Sequence, residues 1–160
     1  MSGIEHFSGF EVVRAAMEVE KRGRAFYSTM ATRAEDAALR SLFARLAQDE
    51  VEHLHRLEAL VAGYASGAFW EDEETTLPYL QRFHAREFFP DAEQLQAALA
   101  APAPDLAALD LAIAAEDAFA EFFQAAAERA RSAEGREAFH WLAKEEQSHG
   151  ALLRQRKESL

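Results

Sequence analysis

Apolar positions along this chain recur every three or four residues in four separate stretches, the period of a helix with one buried face. Phe43, Leu46, Glu50, His53, Leu57 and Leu60 form one stripe, and Phe139, Leu142, Glu146, His149 and Leu153 step identically. Val13, Ala16, Glu20, Gly23, Tyr27 and Met30 form a third, with Leu109, Ala112, Glu116, Phe119 and Phe123 the fourth. The stripes predict four long helices over about residues 9–32, 32–63, 105–131 and 132–157. Ser8 with Glu11 reads as a capping box opening the first, and Thr32 with Glu35 as the start of the second. Pro102, Pro104 and Asp105 announce the third, and Ser132 starts the fourth. Two long helices joined by so short a turn should pack antiparallel.

The segment between the pairs differs. It carries Gly67, the acidic run Glu71-Asp72-Glu73-Glu74, Pro78 and Pro90. So long a stretch without regular structure is unusual in a compact domain, and short helices are expected near 76–88 and 91–100. Its aromatics, Phe69, Trp70, Tyr79, Phe83, Phe88 and Phe89, point to a crossover strap that packs on the bundle, with a dimer surface or lid as the functional alternative.

The two halves are one sequence written twice. Sliding the chain by 96 residues lays Val13–Leu57 on Leu109–Leu153 without a gap, and fourteen of the 45 aligned positions are identical. Glu20 falls on Glu116, Phe26 on Phe122, Phe43 on Phe139, Leu46 on Leu142, Glu50 on Glu146, His53 on His149 and Leu57 on Leu153. The fold expected is all-α: one domain over residues 1–160, a four-helix bundle of two repeated helical hairpins (9–62 and 105–157) with a long crossover (63–104) between helices two and three.

The repeat puts ionisable groups in the middle of every apolar stripe. Each half offers a Glu on its first helix and Glu-x-x-His on its second, and residues three apart on a helix project together. Four carboxylates facing one another in an apolar core would lose hydration and repel, at several kcal/mol each. Two divalent cations would balance four ionised Glu, with one imidazole for each ion. Glu from two helices and Glu-x-x-His from two others is the ligand set of di-iron and di-manganese carboxylate bundles. The candidate metal ligands are therefore Glu20, Glu50, His53, Glu116, Glu146 and His149. The oxygen and imidazole donors suit two iron ions, and manganese or zinc also fits.

Other candidates carry less. Glu52 and His55 make an overlapping Glu-x-x-His, but the repeat sets Ser148 and Ala151 opposite them, so they read as solvated surface. Glu18 has Ala114 as its counterpart and reads likewise; His6, His84 and His140 receive no role. Tyr27 reads as a core aromatic, with orientation of a metal ligand or passage of an electron as its functional alternative.

Composition narrows the field. A net charge of −11 without a basic block argues against nucleic acid. The absence of cysteine excludes disulfides, thiolate zinc sites, iron–sulfur centres and rubredoxin-type iron. No stretch approaches the ~20 apolar residues of a membrane helix, and Met1-Ser2-Gly3-Ile4-Glu5-His6 lacks the features of a signal peptide. A cytoplasmic protein with no membrane partner is expected.

With these residues assembled, the chain resembles the rubrerythrin branch of the ferritin-like superfamily over residues 9–62 and 105–157. The carriers are Glu20 with Phe26-Tyr27, Leu46-Ala47-Gln48-Asp49-Glu50-Val51-Glu52-His53, Glu116 with Phe122-Phe123, and Leu142-Ala143-Lys144-Glu145-Glu146-Gln147-Ser148-His149. The resemblance implies a di-iron centre that reacts with hydrogen peroxide or dioxygen, or oxidises ferrous iron, supplied by an unidentified electron donor. It implies Glu50 and Glu146 as bridging carboxylates, Glu20 and Glu116 as terminal ones, and one histidine per metal. The chain departs from rubrerythrins proper in lacking a cysteine-ligated rubredoxin domain and in carrying Phe119 where they tend to carry a further Glu. The competing readings are an iron-binding or storage protein without turnover, and a structural, metal-stabilised interaction module. A homodimer is expected rather than a cage, because only about three residues follow the fourth helix.

Overall fold

The computed structural model describes residues 9–64, 88–130 and 132–160. Among the described residues there are five helices and no strand: α1 (Gly9–Arg33), α2 (Ala37–Tyr64), α3 (Ala92–Leu99), α4 (Pro104–Arg129) and α5 (Ala133–Glu158). The four long helices match the predicted spans to within a few residues. Of the two short helices expected, α3 answers to 91–100; nearly all of 76–88, with Phe69, Trp70, Tyr79, Phe83 and His84, lies outside the described residues, as do Ser8 and His6.

The architecture is an all-helical bundle of the kind expected of a ferritin-like chain. α1 packs against α2 and α4 against α5, while α2 meets α5, α1 meets α4, and α3 lies on α4. Every residue of the four apolar stripes is buried, the six Glu and His among them included. Glu52, His55 and His140 are exposed and Glu18 is half-buried, in keeping with their reading as surface. No helix among the described residues is long and apolar enough to cross a membrane.

The helix starts show which local signals operate. α4 opens with Pro104 in its first turn, where the missing N–H costs nothing. Ser132 caps α5, its hydroxyl accepting from the Gly135 N–H at 3.0 Å. α2 corrects the expectation. Its start is Asp36, whose Oδ1 accepts from the Leu39 N–H at 2.8 Å, and not Thr32, whose hydroxyl donates to the Thr29 carbonyl within the last turn of α1. Arg156 of α5 donates to the same Asp36 oxygen, at 2.6 Å, so the cap of α2 is also tied to the other helix pair. Leu39 and Arg156 hold the Asp36 carboxyl below the usual range.

The other helix pair secures the same connection a second time. The Glu35 and Asp36 N–H groups donate to the two carboxylate oxygens of Asp105, in the first turn of α4, at 2.8 Å each. These contacts tie the turn between α1 and α2 to both α4 and α5, which fixes the longitudinal offset of one pair against the other. That offset decides whether the buried carboxylates meet.

Above the level of the carboxylates the core is aromatic. Phe89, fully buried, sits against Gly23 of α1, where an added Cβ would lie 2.9 Å from its Cε2. Its ring meets Phe26, Tyr27 and Phe119 with centroids 5.7–6.5 Å apart. The repeat counterpart of Gly23 is Phe119, so one side chain is missing from the stripe of α1 and a phenylalanine from the segment before α3 occupies its place.

Candidate metal centre

The four long helices each deliver one part of a single cluster. α1 brings Glu20, α2 brings Glu50 and His53, α4 brings Glu116, and α5 brings Glu146 and His149. All six side chains are at most 2 % exposed, so all six predicted ligand positions converge in the interior.

The donor atoms fall into two overlapping sets. Glu20, Glu50, His53 and Glu146 present one donor atom each within 4.8 Å of one another, and so do Glu50, Glu116, Glu146 and His149. In the first, His53 Nδ1 lies 3.3 Å from Glu20 Oε1, 3.3 Å from Glu50 Oε2 and 2.9 Å from Glu146 Oε1. In the second, His149 Nδ1 lies 3.4 Å from Glu116 Oε1, 3.5 Å from Glu50 Oε1 and 3.4 Å from Glu146 Oε2. Glu50 and Glu146 thus turn one oxygen toward each histidine. These two carboxylates are common to both sets, whereas Glu20 and Glu116 each belong to one.

Ten atoms of this cluster are buried without a hydrogen-bond partner: both oxygens of Glu20, Glu50 and Glu146, Oε2 of Glu116, both ring nitrogens of His53, and Nδ1 of His149. A folded protein leaves few buried polar atoms unsatisfied, because each costs about 1–3 kcal/mol or more. So many around one point, all of them metal-ligating types, fit a pair of divalent cations. Carboxylate and histidine groups are placed to bind metal.

Electrostatics says the same. Burial pushes the Glu20 and Glu116 carboxyls well above the usual range, aided by the anions of Glu50 and Glu146 near Glu20 and of Glu146 near Glu116. Burial also opposes ionisation of Glu50 and Glu146, yet both are held below the usual range, Glu50 by the Glu20 carboxyl and then the imidazoles, Glu146 by the imidazoles, His53 foremost. It opposes charging of the histidines too, but the carboxylates raise both, Glu146 foremost at His53 and Glu116 at His149. These directions favour protons on Glu20, Glu116 and the two imidazoles and charge on Glu50 and Glu146, a metal-free arrangement with no net charge. Two divalent cations with four carboxylates and two neutral imidazoles also sum to zero.

Further side chains surround the ligands. The buried Tyr27 hydroxyl donates to Glu116 Oε1, which gives Tyr27 contact with a ligand as well as a place in the core. Burial, then the Glu116 charge, pushes its phenol well above its ordinary range. His149 Nε2 donates to Asp49 Oδ2 at 3.2 Å, and His53 Nε2 faces Glu145 Oε2 at 3.8 Å. Sequence reasoning passed over Asp49 and Glu145. They occupy equivalent positions in the 96-residue register, each one residue before a candidate bridging glutamate, and each reaches the histidine of the opposite helix pair. A carboxylate on the outer nitrogen fixes which nitrogen faces the metal. The two imidazoles lie nearly parallel, 5.3 Å apart at 17°, and Trp141 meets His53 edge-on at 5.5 Å with the Arg56 guanidinium over its indole.

Comparison with known proteins gives a family. A family model described as Rubrerythrin matches residues 11–157, nearly the whole chain. Among solved structures, a hypothetical protein from Pyrococcus furiosus is similar at TM-score 0.67, with 24 % sequence identity over 97 % of this chain and 91 % of that one. At that identity the likeness speaks for the fold. No curated protein matches the chain.

Proposed function

The chain belongs to the rubrerythrin family, and on that footing we propose that it is a non-haem di-iron oxidoreductase that reduces hydrogen peroxide or dioxygen. The observation that supports this best is the sharing of Glu50 and Glu146 between two donor sets that each contain one histidine. A structural zinc site would need one closed set of four ligands; two sets with common carboxylates suit two ions acting together. We assign Glu20, Glu50, His53 and Glu146 to one iron and Glu116, Glu50, Glu146 and His149 to the other. The same reading takes the two helix pairs as repeated hairpins joined by a crossover, in a single domain that acts as a cytoplasmic homodimer.

Bound there, two ferrous ions would supply the two electrons needed to split an O–O bond, with two protons completing two waters from each peroxide. The chain's own residues do the rest. Glu50 and Glu146 hold the two positions at a fixed separation, and Asp49 orients His149 through its outer nitrogen. Tyr27 keeps a proton against Glu116 Oε1, at the edge of the cluster. Phe89, Phe119 and Phe123, all buried, exclude water on that side, so protons come from held groups rather than bulk solvent.

The test is iron-loaded protein mixed with substoichiometric peroxide without air. Consumption of one peroxide per pair of ferrous ions, with growth of an oxo-bridged ferric band, is the result expected. Iron that binds but does not react with peroxide or dioxygen would remove the oxidoreductase reading and leave metal storage.

A further inference from the structure

A third donor set overlaps the paired positions, joining their two histidines to a carboxylate outside them. One donor atom each from His53, Glu145 and His149 lies within 4.8 Å of the others. Here the 96-residue symmetry breaks. Asp49 closes on His149 Nε2 at 3.2 Å, but its counterpart Glu145 stops 3.8 Å short of His53 Nε2. His53 is fully buried, and its Nε2 has no hydrogen-bond partner. The Glu145 side chain is 37 % exposed, so one carboxylate with access to solvent stands beside an unpartnered buried nitrogen and within reach of the second imidazole.

We propose that Glu145, with ring nitrogens of His53 and His149, forms a capture site where a divalent metal ion binds before the paired positions fill. The inference rests on the di-metal reading and extends it to how the ions arrive. An ion captured here displaces one proton from each imidazole it uses, as an ion in the paired positions does, and the other ring nitrogen keeps its proton. A histidine that gives Nδ1 to a resident ion must keep its proton on Nε2, so capture and residence exclude one another. The site therefore serves the metal-free protein and closes once loading is complete. Its position fits that use. The inner carboxylates are sealed by the four helices, whereas Glu145 is the member of the wider cluster with the greatest exposure to solvent. Asp49, held by its hydrogen bond to His149, has the orienting role alone.

Metal-free protein mixed rapidly with cobalt(II), followed by the visible bands of the bound ion, tests this directly. The unmodified protein should fill in two phases and finish at two ions per chain. Glu145→Gln should slow the first phase at least about tenfold, the scale of effects outside the direct ligands, with the same end point. Glu137→Gln, an exposed acid on the same helix, should leave both phases unchanged and so controls for charge. Filling of Glu145→Gln at the unmodified rate, or equal slowing in both variants, would overturn the capture site and spare the di-metal reading. So would a variant with weaker final affinity but normal uptake rate, since that marks Glu145 as holding the His53 ring. No cobalt uptake by the unmodified protein would overturn both.

Discussion

The Tyr27 hydroxyl donates to Oε1 of Glu116, a residue on the opposite helix pair, while the equivalent positions, Phe123 and Glu20, have no hydroxyl with which to repeat the bond. The internal repeat therefore gives two donor sets of the same composition whose terminal carboxylates differ in surroundings. Glu116 Oε1 is satisfied by a phenol; both oxygens of Glu20 are without a partner.

Tyr27→Phe should make the halves alike. The variant should lower the affinity of the position containing Glu116 about tenfold or more and leave the position containing Glu20 nearly unchanged. A metal titration followed by calorimetry would show this as a change in one of two binding steps. A titration superimposable on that of the unmodified protein would place Tyr27 among the packing aromatics and nothing more.

Proton release gives a second expectation. In the metal-free cluster Glu20 and Glu116 are raised, and so are His53 and His149. Filling both positions near neutral pH should therefore expel about four protons per chain, two from the glutamic acids and two from the imidazolium ions. Weakly buffered protein titrated with metal and indicator dye would count them. Release near zero would mean that the cluster is already ionised and solvated.

The same shifts set opposite pH responses for the two forms. A group with a raised folded pKa adds stability that is complete below its unfolded value and is lost as pH rises through the folded one. For Glu20, Glu116, His53 and His149 the metal-free protein should lose stability as pH rises, above the ordinary carboxyl range for the two glutamic acids and above the ordinary imidazole range for the two histidines. Glu50 and Glu146 are lowered, so their contribution is lost only in acid, below the ordinary range of a carboxyl near pH 4. With metal bound, protons compete with the ions, and stability should instead fall on acidification from neutral. Thermal unfolding with and without chelator separates the two, and parallel pH profiles would refute the exchange of protons for metal.

Much of this centre was legible before any coordinates. The 96-residue register identified six positions because a buried ionisable residue is costly, and two copies of the same costly pattern imply one shared reason for it. That register also held the correction at α2. Ser132 was recognised as a cap, and its counterpart is Asp36, not Thr32. Asp49 and Glu145 were passed over for a physical reason. A polar, partly exposed residue on a helix reads as solvated surface, and only the packing of one pair on the other brings it to a histidine 100 or so residues away. The place of Phe89 was hidden likewise, although Gly23 in a stripe of large residues marks a hole that something must fill.

Glu50 and Glu20 should differ in kind when removed. Glu50→Ala takes a donor from both sets and also deprives His53 and His149 of a carboxylate. Both ions should be lost, and the metal-free protein should be destabilised by about 3–5 kcal/mol, as when one partner of a buried ion pair is deleted. Glu20→Ala touches only the set that contains His53. It should retain about one ion per chain and destabilise less, because burial and the neighbouring carboxylates already oppose the charge of the carboxyl removed. Metal analysis after gel filtration distinguishes the two. Equal loss in both variants would dissolve the distinction between shared and terminal carboxylates.

The Gly23 and Phe89 pair gives a prediction independent of metal. A Cβ at Gly23 would lie 2.9 Å from Cε2 and 3.0 Å from Cζ of Phe89, so Gly23→Ala must displace a fully buried ring packed against Phe26, Tyr27 and Phe119. The cost expected is about 1–3 kcal/mol, the range for overpacking, despite the gain in helix propensity of about 1 kcal/mol from Gly to Ala. Phe89→Ala alone should cost about 3–5 kcal/mol through the cavity it leaves. Combined, the two should cost less than their sum, because the added methyl group then points into the vacated space. A double-mutant cycle by denaturant unfolding measures that coupling. Strict additivity would mean that the ring and the glycine do not share one space, and that the segment before α3 is not seated in the bundle.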